Sequence, residues 1–274
     1  MPTTRPFRLF LLTLLGLAAL AVVSPTLQAA EDAYLRWPDL DDEIVVFACE
    51  GDLWKAPATG GPAIRLTTHP EEESSPVISP DGSRIAFDAS YDGPREVYVM
   101  PLSGGIPKQI TFEGGGASVR GWTASGRVVF RSNRVAGPSW SVLRTVDPAS
   151  LDVETLPLMN ATDSSPSADE STWFFTRFGI RTTGDNTRLY RGGSMAQLWR
   201  FQPGLDNEAQ RLAPELDAPI RNPMQWNARI WFLSDASGFT NVWSVDEDGG
   251  DATRHTDFSG FEPRSPRMHE GTLV

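Results

Sequence analysis

The sequence predicts an all-β fold, a β-propeller of four-stranded blades, because one unit of short strands recurs along the chain and no helical period accompanies it. The unit is clearest at residues 79–87, where a Pro-Asp-Gly turn precedes a short apolar strand. An aromatic-centred strand, a Gly-Gly turn and a threonine-containing strand follow. A phenylalanine marks the apolar strand in successive copies, at Phe47, Phe87, Phe130, Phe174 and Phe232. A repeat of about 40–45 residues is typical of propeller blades.

The repeat spacing predicts five complete blades and the first strand of a sixth, so residues 31–274 are expected to form an incomplete six-bladed propeller. The predicted blades occupy residues 34–70, 71–115, 116–160, 161–217, 218–260 and, in part, 261–274. Each blade of a propeller buries its faces against its neighbours. The fourth copy is longer than the others, which indicates an insertion between Phe178 and Gln197.

Residues 1–30 have the pattern of a secretory signal peptide. Arg5 and Arg8 precede an apolar run at residues 9–23, and Ala29 and Ala30 end a region of small residues. We expect export to the periplasm, with a mature N-terminus near residue 31. The alternative is an uncleaved anchor, although a spanning helix needs roughly 20 apolar residues.

Composition limits the classes of partner and the source of stability. The formal net charge of −11 argues against nucleic acid as a partner, and against membrane contact beyond the leader. Cys49 is the sole cysteine, so an internal disulfide is excluded and stability must come from packing.

Three segments give the chain a family resemblance: residues 46–54 (VFACEGDLW), residues 188–199 (RLYRGGSMAQLW) and residues 254–264 (RHTDFSGFEPR). With them, residues 34–274 resemble the N-terminal six-bladed propeller of tricorn-type proteases. The resemblance implies a noncatalytic segment of a large serine peptidase, a hydrolase whose catalytic residues lie in other parts of the family's chains. It also implies that the propeller gates or channels peptides and contacts other domains of the parent protease, which could form a homo-oligomer.

The general repeat is shared more widely, which leaves a second function open. TolB-like propellers and the propellers of prolyl oligopeptidase relatives have similar repeats. The alternative is therefore a stand-alone periplasmic TolB-like binding propeller that acts through protein contacts.

The residues show no convincing catalytic, cofactor or metal site. Ser194 lies in a Gly-Gly-Ser-Met-Ala sequence that departs from the nucleophile-elbow pattern at its last position. His69 and His255 are interpreted as equivalent ends of outer strands in different blades, and His269 lies in the last copy. Because different blades carry these histidines, we expect neither a catalytic group nor a metal among them.

The insertion in the fourth copy is the one candidate interaction loop. It carries a local excess of arginine in an acidic protein, and the residues singled out are Arg177, Arg181, Arg188, Tyr190 and Arg191. A planar guanidinium can bind both oxygens of a carboxylate, so these residues could contact peptides or another domain of the parent. The structural alternative is that the arginines pair with acidic residues of neighbouring blades.

Overall fold

Five four-stranded antiparallel sheets dominate the computed structural model, which describes residues 34–134, 141–178 and 189–274. Blade one contains β1 (Arg36–Leu40), β2 (Ile44–Cys49), β3 (Asp52–Pro57) and β4 (Ile64–Arg65). Blade two contains β5 (Glu73–Ile78), β6 (Arg84–Ala89), β7 (Glu96–Pro101) and β8 (Lys108–Gln109). Blade three contains β9 (Ala117–Trp122), β10 (Val128–Ser132), β11 (Val142–Val146) and β12 (Val153–Met159). Blade four contains β13 (Ala161–Pro166), β14 (Trp173–Arg177), β15 (Gln197–Phe201) and β16 (Gln210–Arg211). Blade five contains β17 (Ile220–Trp226), β18 (Arg229–Ser234), β19 (Asn241–Asp246) and β20 (Thr253–Arg254).

The predicted all-β propeller of four-stranded blades is confirmed. The strands of every blade are hydrogen-bonded in chain order, and the first strands of successive blades lie next to one another. These first strands, β1, β5, β9, β13 and β17, therefore surround the axis of the molecule. A membrane-spanning helix is absent from the described residues. The predicted signal peptide at residues 1–30 lies outside them.

The sixth position holds a hairpin, where the sequence predicted a single strand. Strands β21 (Met268–His269) and β22 (Thr272–Leu273) pair through a two-residue turn. Both turn residues have positive φ, 44° at Glu270 and 84° at Gly271, which is the backbone that tight antiparallel hairpins prefer. A side chain at Gly271 would overlap the ring of Trp226 in blade five. The prediction of one strand is wrong because this turn reverses the chain within a few residues.

The apolar core consists of clusters that lie between neighbouring blades. Phe87 packs with Val46 and Leu53 between blades one and two, whereas Phe130 packs with residues of blade two. Similar clusters join blades three and four, and blades four and five. Each blade is therefore stabilised mainly by burial against the next one, as a repeat architecture requires.

A threonine hydroxyl holds the outer strand in three blades, and this explains the threonine-containing strands of the repeat. The threonines are Thr67, Thr111 and Thr256. Each hydroxyl accepts a backbone N–H of the third strand, at 2.8, 2.8 and 2.9 Å, from Leu53, Val97 and Val242. Each also donates to a side-chain oxygen, at 3.0, 2.6 and 2.8 Å, on Glu73, Glu96 and Asn241. Polar groups beneath the outer strands are thereby satisfied.

The innermost strands are bent by a recurring bulge. In three blades and in the sixth position, a residue with a φ of 50–53° stands directly before a proline: Trp37, Ser75, Asn222 and Ser265. The pairing register of β1, β5 and β17 shifts at this point. A bulge redirects the side chains near it, and here those side chains line the axis of the propeller.

Candidate functional site in the central channel

The predicted interaction loop has a rigid base on blade four. Arg177 is the last residue of β14. Its guanidinium lies over the ring of Trp199, 4.7 Å from the centroid, and its Nε donates to the carbonyl of Met159 at 3.3 Å. The contact with Trp199 lies within blade four, and the contact with Met159 reaches the last strand of blade three. Arg177 therefore anchors the start of the insertion.

The far end of the insertion is attached to a carboxylate of blade five. Asp235 is fully buried. Its Oδ1 lies 3.0 Å from Nη1 of Arg191, and its Oδ2 accepts the backbone N–H of Leu189 at 2.5 Å. A buried carboxylate is costly without a charged or hydrogen-bonding partner. Arg191 and Leu189 supply both, and they join the insertion to the next blade.

Tyr190 shapes the turn that follows. A Cβ at Gly192 would overlap the Tyr190 ring, so a larger residue there would require the tyrosine side chain to move. The backbone N–H of Ser194 points to the Tyr190 hydroxyl at 3.4 Å. Arg181 and Arg188 lie outside the described residues. The use of this loop as an interaction surface therefore stays a prediction.

The three histidines lie at separate places. His255 stacks on Trp231 at 4.2 Å between centroids, and its Nε2 is 2.8 Å from the Ser244 hydroxyl; burial lowers its pKa. His69 contacts the ring of Tyr91 at 4.0 Å. The predicted equivalence of His69 and His255 is wrong. The backbone N–H of His255 donates to a carbonyl of the third strand of blade five, and the equivalent donor in blade one is the N–H of Leu66. His69 lies three residues after Leu66, so the two histidines are not at equivalent positions.

His269 joins the terminal hairpin to blade one. Its Nε2 is 3.0 Å from Oδ1 of Asp42. Glu270 is close enough that one ligand atom from each of these three side chains lies within 4.8 Å of the others. Two of the three are exposed, and His269 and Asp42 already satisfy each other, so the contact is a hydrogen bond that holds the hairpin against blade one.

A channel runs along the axis, and one arginine crosses it. Nη1 of Arg267, beside the terminal hairpin, donates to the backbone carbonyl of Arg120 in blade three at 3.0 Å. Blade three is half a turn of the ring away from the sixth position. Two cavities of about 240 and 280 Å³ lie along the axis, and both are lined by Arg267 and Arg120. The Arg267 side chain thus borders both cavities as it reaches across the axis.

The guanidinium of Arg120 is engaged by its own surroundings. Its Nε lies 3.1 Å from Oδ1 of Asp163 and donates to the Thr162 carbonyl at 2.7 Å. Its Nη1 donates to the carbonyl of Val119 at 2.7 Å. These contacts fix the Arg120 carbonyl that receives Arg267.

Two buried aspartates hold the inner strands beside this crossing. Oδ2 of Asp39 accepts the N–H of Ile78 at 2.7 Å, which ties blade one to blade two. Oδ1 of Asp88 accepts the N–H of Val119 at 2.5 Å, which ties blade two to blade three. Burial raises the pKa of both carboxyls, that of Asp88 to about 7. The positive charge of Arg267 partly opposes the increase at Asp39.

Sequence reasoning missed this site because its residues come from distant copies of the repeat. Arg267 and Arg120 are separated by 147 residues. One signal was available: in most copies a proline stands at the inner-strand position that Arg120 occupies in blade three. The other copies have proline or serine at this position, so the arginine in blade three indicates a residue of the channel wall.

Comparisons with known proteins agree with the architecture. A family model described as the tricorn protease N-terminal beta propeller domain matches residues 32–274. Tricorn protease homolog 1 of Streptomyces coelicolor is 36% identical over 253 residues, which cover 86% of this chain and 22% of that protein. The tricorn protease of Thermoplasma acidophilum is 24% identical over 244 residues, or 83% of this chain and 22% of that protein.

Solved structures show the same fold. The crystal structure of the tricorn protease superposes with a TM-score of 0.75 at 22% identity, over 88% of this chain and 24% of that one. A putative TolB from Agrobacterium tumefaciens gives 0.65 at 20% identity, over 81% of this chain and 80% of that one. The chain thus spans a minor part of its tricorn relatives. With the family model matched over nearly all of the described residues, the chain belongs to the family of tricorn protease N-terminal β-propeller domains.

Proposed function

We propose that this chain is the noncatalytic propeller segment of an exported tricorn-like serine peptidase, and that peptides enter or leave through its central channel. The observation that carries the proposal is the pair of cavities along the axis, both of them bordered by Arg267, which reaches across to blade three. A backbone wall would close the channel permanently, but a single arginine held by one carbonyl can move aside.

The dimensions of the cavities support a narrow ligand. Cavities of about 240 and 280 Å³ are below the usual range for drug-sized ligands, which begins near 300 Å³. Pro223 lines both cavities and Pro266 lines the larger one, and neither residue offers a backbone N–H to a competing strand. An extended peptide fits such a passage, whereas a folded domain does not.

A second part of the proposal concerns the side of the propeller that carries the insertion. The connections between blades and the insertion after β14 lie at the same end of the strands, because the strands alternate in direction. Several large apolar side chains are exposed there: Phe112, Met159, Leu189 and Phe261. Exposed apolar surface of this kind is typical of contact regions. We assign this side to contacts with other domains of the parent protease.

The test is to characterise the natural protein. An antibody against residues 34–274 would be used to isolate it from its own cells, and mass spectrometry and a peptide-hydrolysis assay would follow. The proposal requires a much longer polypeptide with peptidase activity, in the exported fraction. A chain without peptidase sequence that co-purifies with envelope proteins would favour the TolB-like alternative, for which the similarity in fold to the putative TolB is the supporting observation.

A further inference from the structure

We propose that the central channel has a binding site for a peptide carboxylate at its waist, the place where Arg267 and Ser164 border both cavities. Arg267 is the recognising residue, and Ser164 is a second hydrogen-bonding group. The inference deepens the proposed channel function and rests on it for the choice of a peptide as ligand.

The first observation is the incomplete use of Arg267. A guanidinium has five N–H donors. Among the described residues, the side-chain bond found for Arg267 is the one from Nη1 to the Arg120 carbonyl. A carbonyl is a neutral acceptor, and a carboxylate forms a hydrogen bond to arginine that is roughly twice as strong and often bidentate. A carboxylate at the waist can therefore take Arg267 away from Arg120.

The second observation is an unpaired hydroxyl that borders the same two cavities as the arginine. Oγ of Ser164 is buried and has no hydrogen-bond partner among the described residues. Ser164 lines both cavities, as Arg267 does. A buried hydroxyl without a partner loses free energy relative to water, so such groups are usually matched by something. A rotation of the Ser164 side chain to another rotamer would bring this hydroxyl to a ligand oxygen in the channel.

The neighbouring charges leave Arg267 as the available cation. Arg120 is neutralised by Asp163 and bonded to two carbonyls. The charge of Asp39 interacts with that of Arg267, but the two side chains form no ion pair among the described residues, and Oδ2 of Asp39 accepts the N–H of Ile78. An incoming carboxylate therefore meets a guanidinium whose hydrogen bond, among the described residues, goes to a neutral carbonyl that a charged acceptor can replace.

The experiment measures binding of labelled peptides to the purified protein by fluorescence anisotropy. One probe is a dye-labelled hexapeptide of glycine and serine with a free C-terminus. The same peptide with a C-terminal amide has no carboxylate, and a third, amidated peptide carries one internal glutamate. We expect the free peptide to bind, and the neutral amide to bind at least about tenfold more weakly, as the loss of a charged hydrogen bond implies. If the glutamate peptide binds, a side-chain carboxylate is sufficient for recognition. If it does not bind, the site recognises the C-terminal carboxylate of the peptide. Both outcomes agree with the proposal.

Three variants complete the test. Arg267→Gln should weaken binding of the free peptide about tenfold, and Ser164→Ala should weaken it less. The matched control is Arg134→Gln, because Arg134 also donates to a backbone carbonyl, that of Phe112, but at the surface; its affinity should equal that of the wild type. Equal binding of the free and neutral peptides to the wild type would overturn the proposal even if Arg267→Gln failed to fold, and so would unchanged affinity in a folded Arg267→Gln. The result is independent of whether the natural protein is a peptidase.

Discussion

Arg267 and Arg120 meet across the axis of the propeller, where Nη1 of the first donates to the carbonyl of the second at 3.0 Å. The bond joins the terminal hairpin to the blade half a turn away. Apart from the hairpin itself, this contact across the axis is made by one side chain. The carbonyl is held in place by neighbours of Arg120, among them Val119, whose N–H is bound by Asp88.

Asp88 makes the stability of the propeller depend on pH. Burial raises the pKa of this carboxyl to about 7 from an ordinary value of 3.8, so the folded state binds the proton more tightly than the unfolded chain. The stabilisation is complete below the unfolded pKa and is lost as the pH rises through about 7. Asp88→Asn keeps an oxygen for Val119 and cannot ionise. We expect the free energy of unfolding of the variant, relative to that of the wild type, to rise by on the order of 2 kcal/mol from pH 5 to pH 8.

Thermal melts of both proteins at pH 5, 6.5 and 8 measure this gain. Asp147→Asn is the control: Asp147 is exposed, and backbone hydrogen bonds from Ser150 and Ala149 lower its pKa, so it does not titrate in this range. An Asp88→Asn melting temperature that differs from the wild type by the same amount at all three pH values would contradict the assignment.

Arg191 is expected to stabilise the fold, because it pairs with the fully buried Asp235. Arg191→Ala should lower the free energy of unfolding by about 1–3 kcal/mol, less than the loss of a wholly buried pair because Arg191 itself is about one-third exposed. Urea denaturation measures the change. In an Asp235→Asn background the same substitution should cost much less, since no buried charge is left behind.

Arg254→Ala provides the comparison for an exposed pair. Arg254 and Asp257 are 3.0 Å apart, but both side chains are exposed, so the cost should stay within about 0.5 kcal/mol. Equal effects of Arg191→Ala and Arg254→Ala would mean that the insertion is not anchored through Asp235.

The turn of the terminal hairpin requires glycine for two reasons, which can be separated. Gly271→Ala introduces both a strained φ and an overlap with Trp226, whereas Gly204→Ala has a similar φ of 80° and open space around the new Cβ. We expect Gly204→Ala to cost about 1–2 kcal/mol from backbone strain. Gly271→Ala should cost more, and hydrogen exchange should increase at residues 267–274. Equal costs would show that the hairpin does not pack against Trp226.

The repeat could be predicted from the sequence because each blade carries its own turn and strand pattern. The pattern did not show which of two neighbouring residues is equivalent to a given residue of the other blades. It assigned Phe174 as the counterpart of the other phenylalanines, but the pairing of β14 with β15 places Phe175 opposite Trp199, as Phe87 is opposite Tyr98. Two adjacent buried phenylalanines give no local signal that distinguishes the two faces of a strand.

The contacts of the site could not be predicted, because they depend on which copies of the repeat face each other. Arg191 and Asp235 come from different blades, as do Arg267 and Arg120. Local sequence patterns describe turns and strands, and they carry no information about a contact across the ring. The arginine-rich insertion was visible in the sequence, but its pairing partner was not.

The central claim is that peptides pass through the channel of this propeller, and narrowing the channel in the natural full-length protein tests it most directly. Ser75→Trp places in blade two the residue that blade one already carries at the same bulge, Trp37, and both positions line the channel. Ile106→Trp, on a hairpin at the surface, adds the same bulk outside it. Hydrolysis of a long peptide and of a small chromogenic substrate would be compared. We predict that Ser75→Trp slows the long peptide several-fold more than the small substrate, while Ile106→Trp changes neither. Unchanged long-peptide hydrolysis in a folded Ser75→Trp protein would contradict the account.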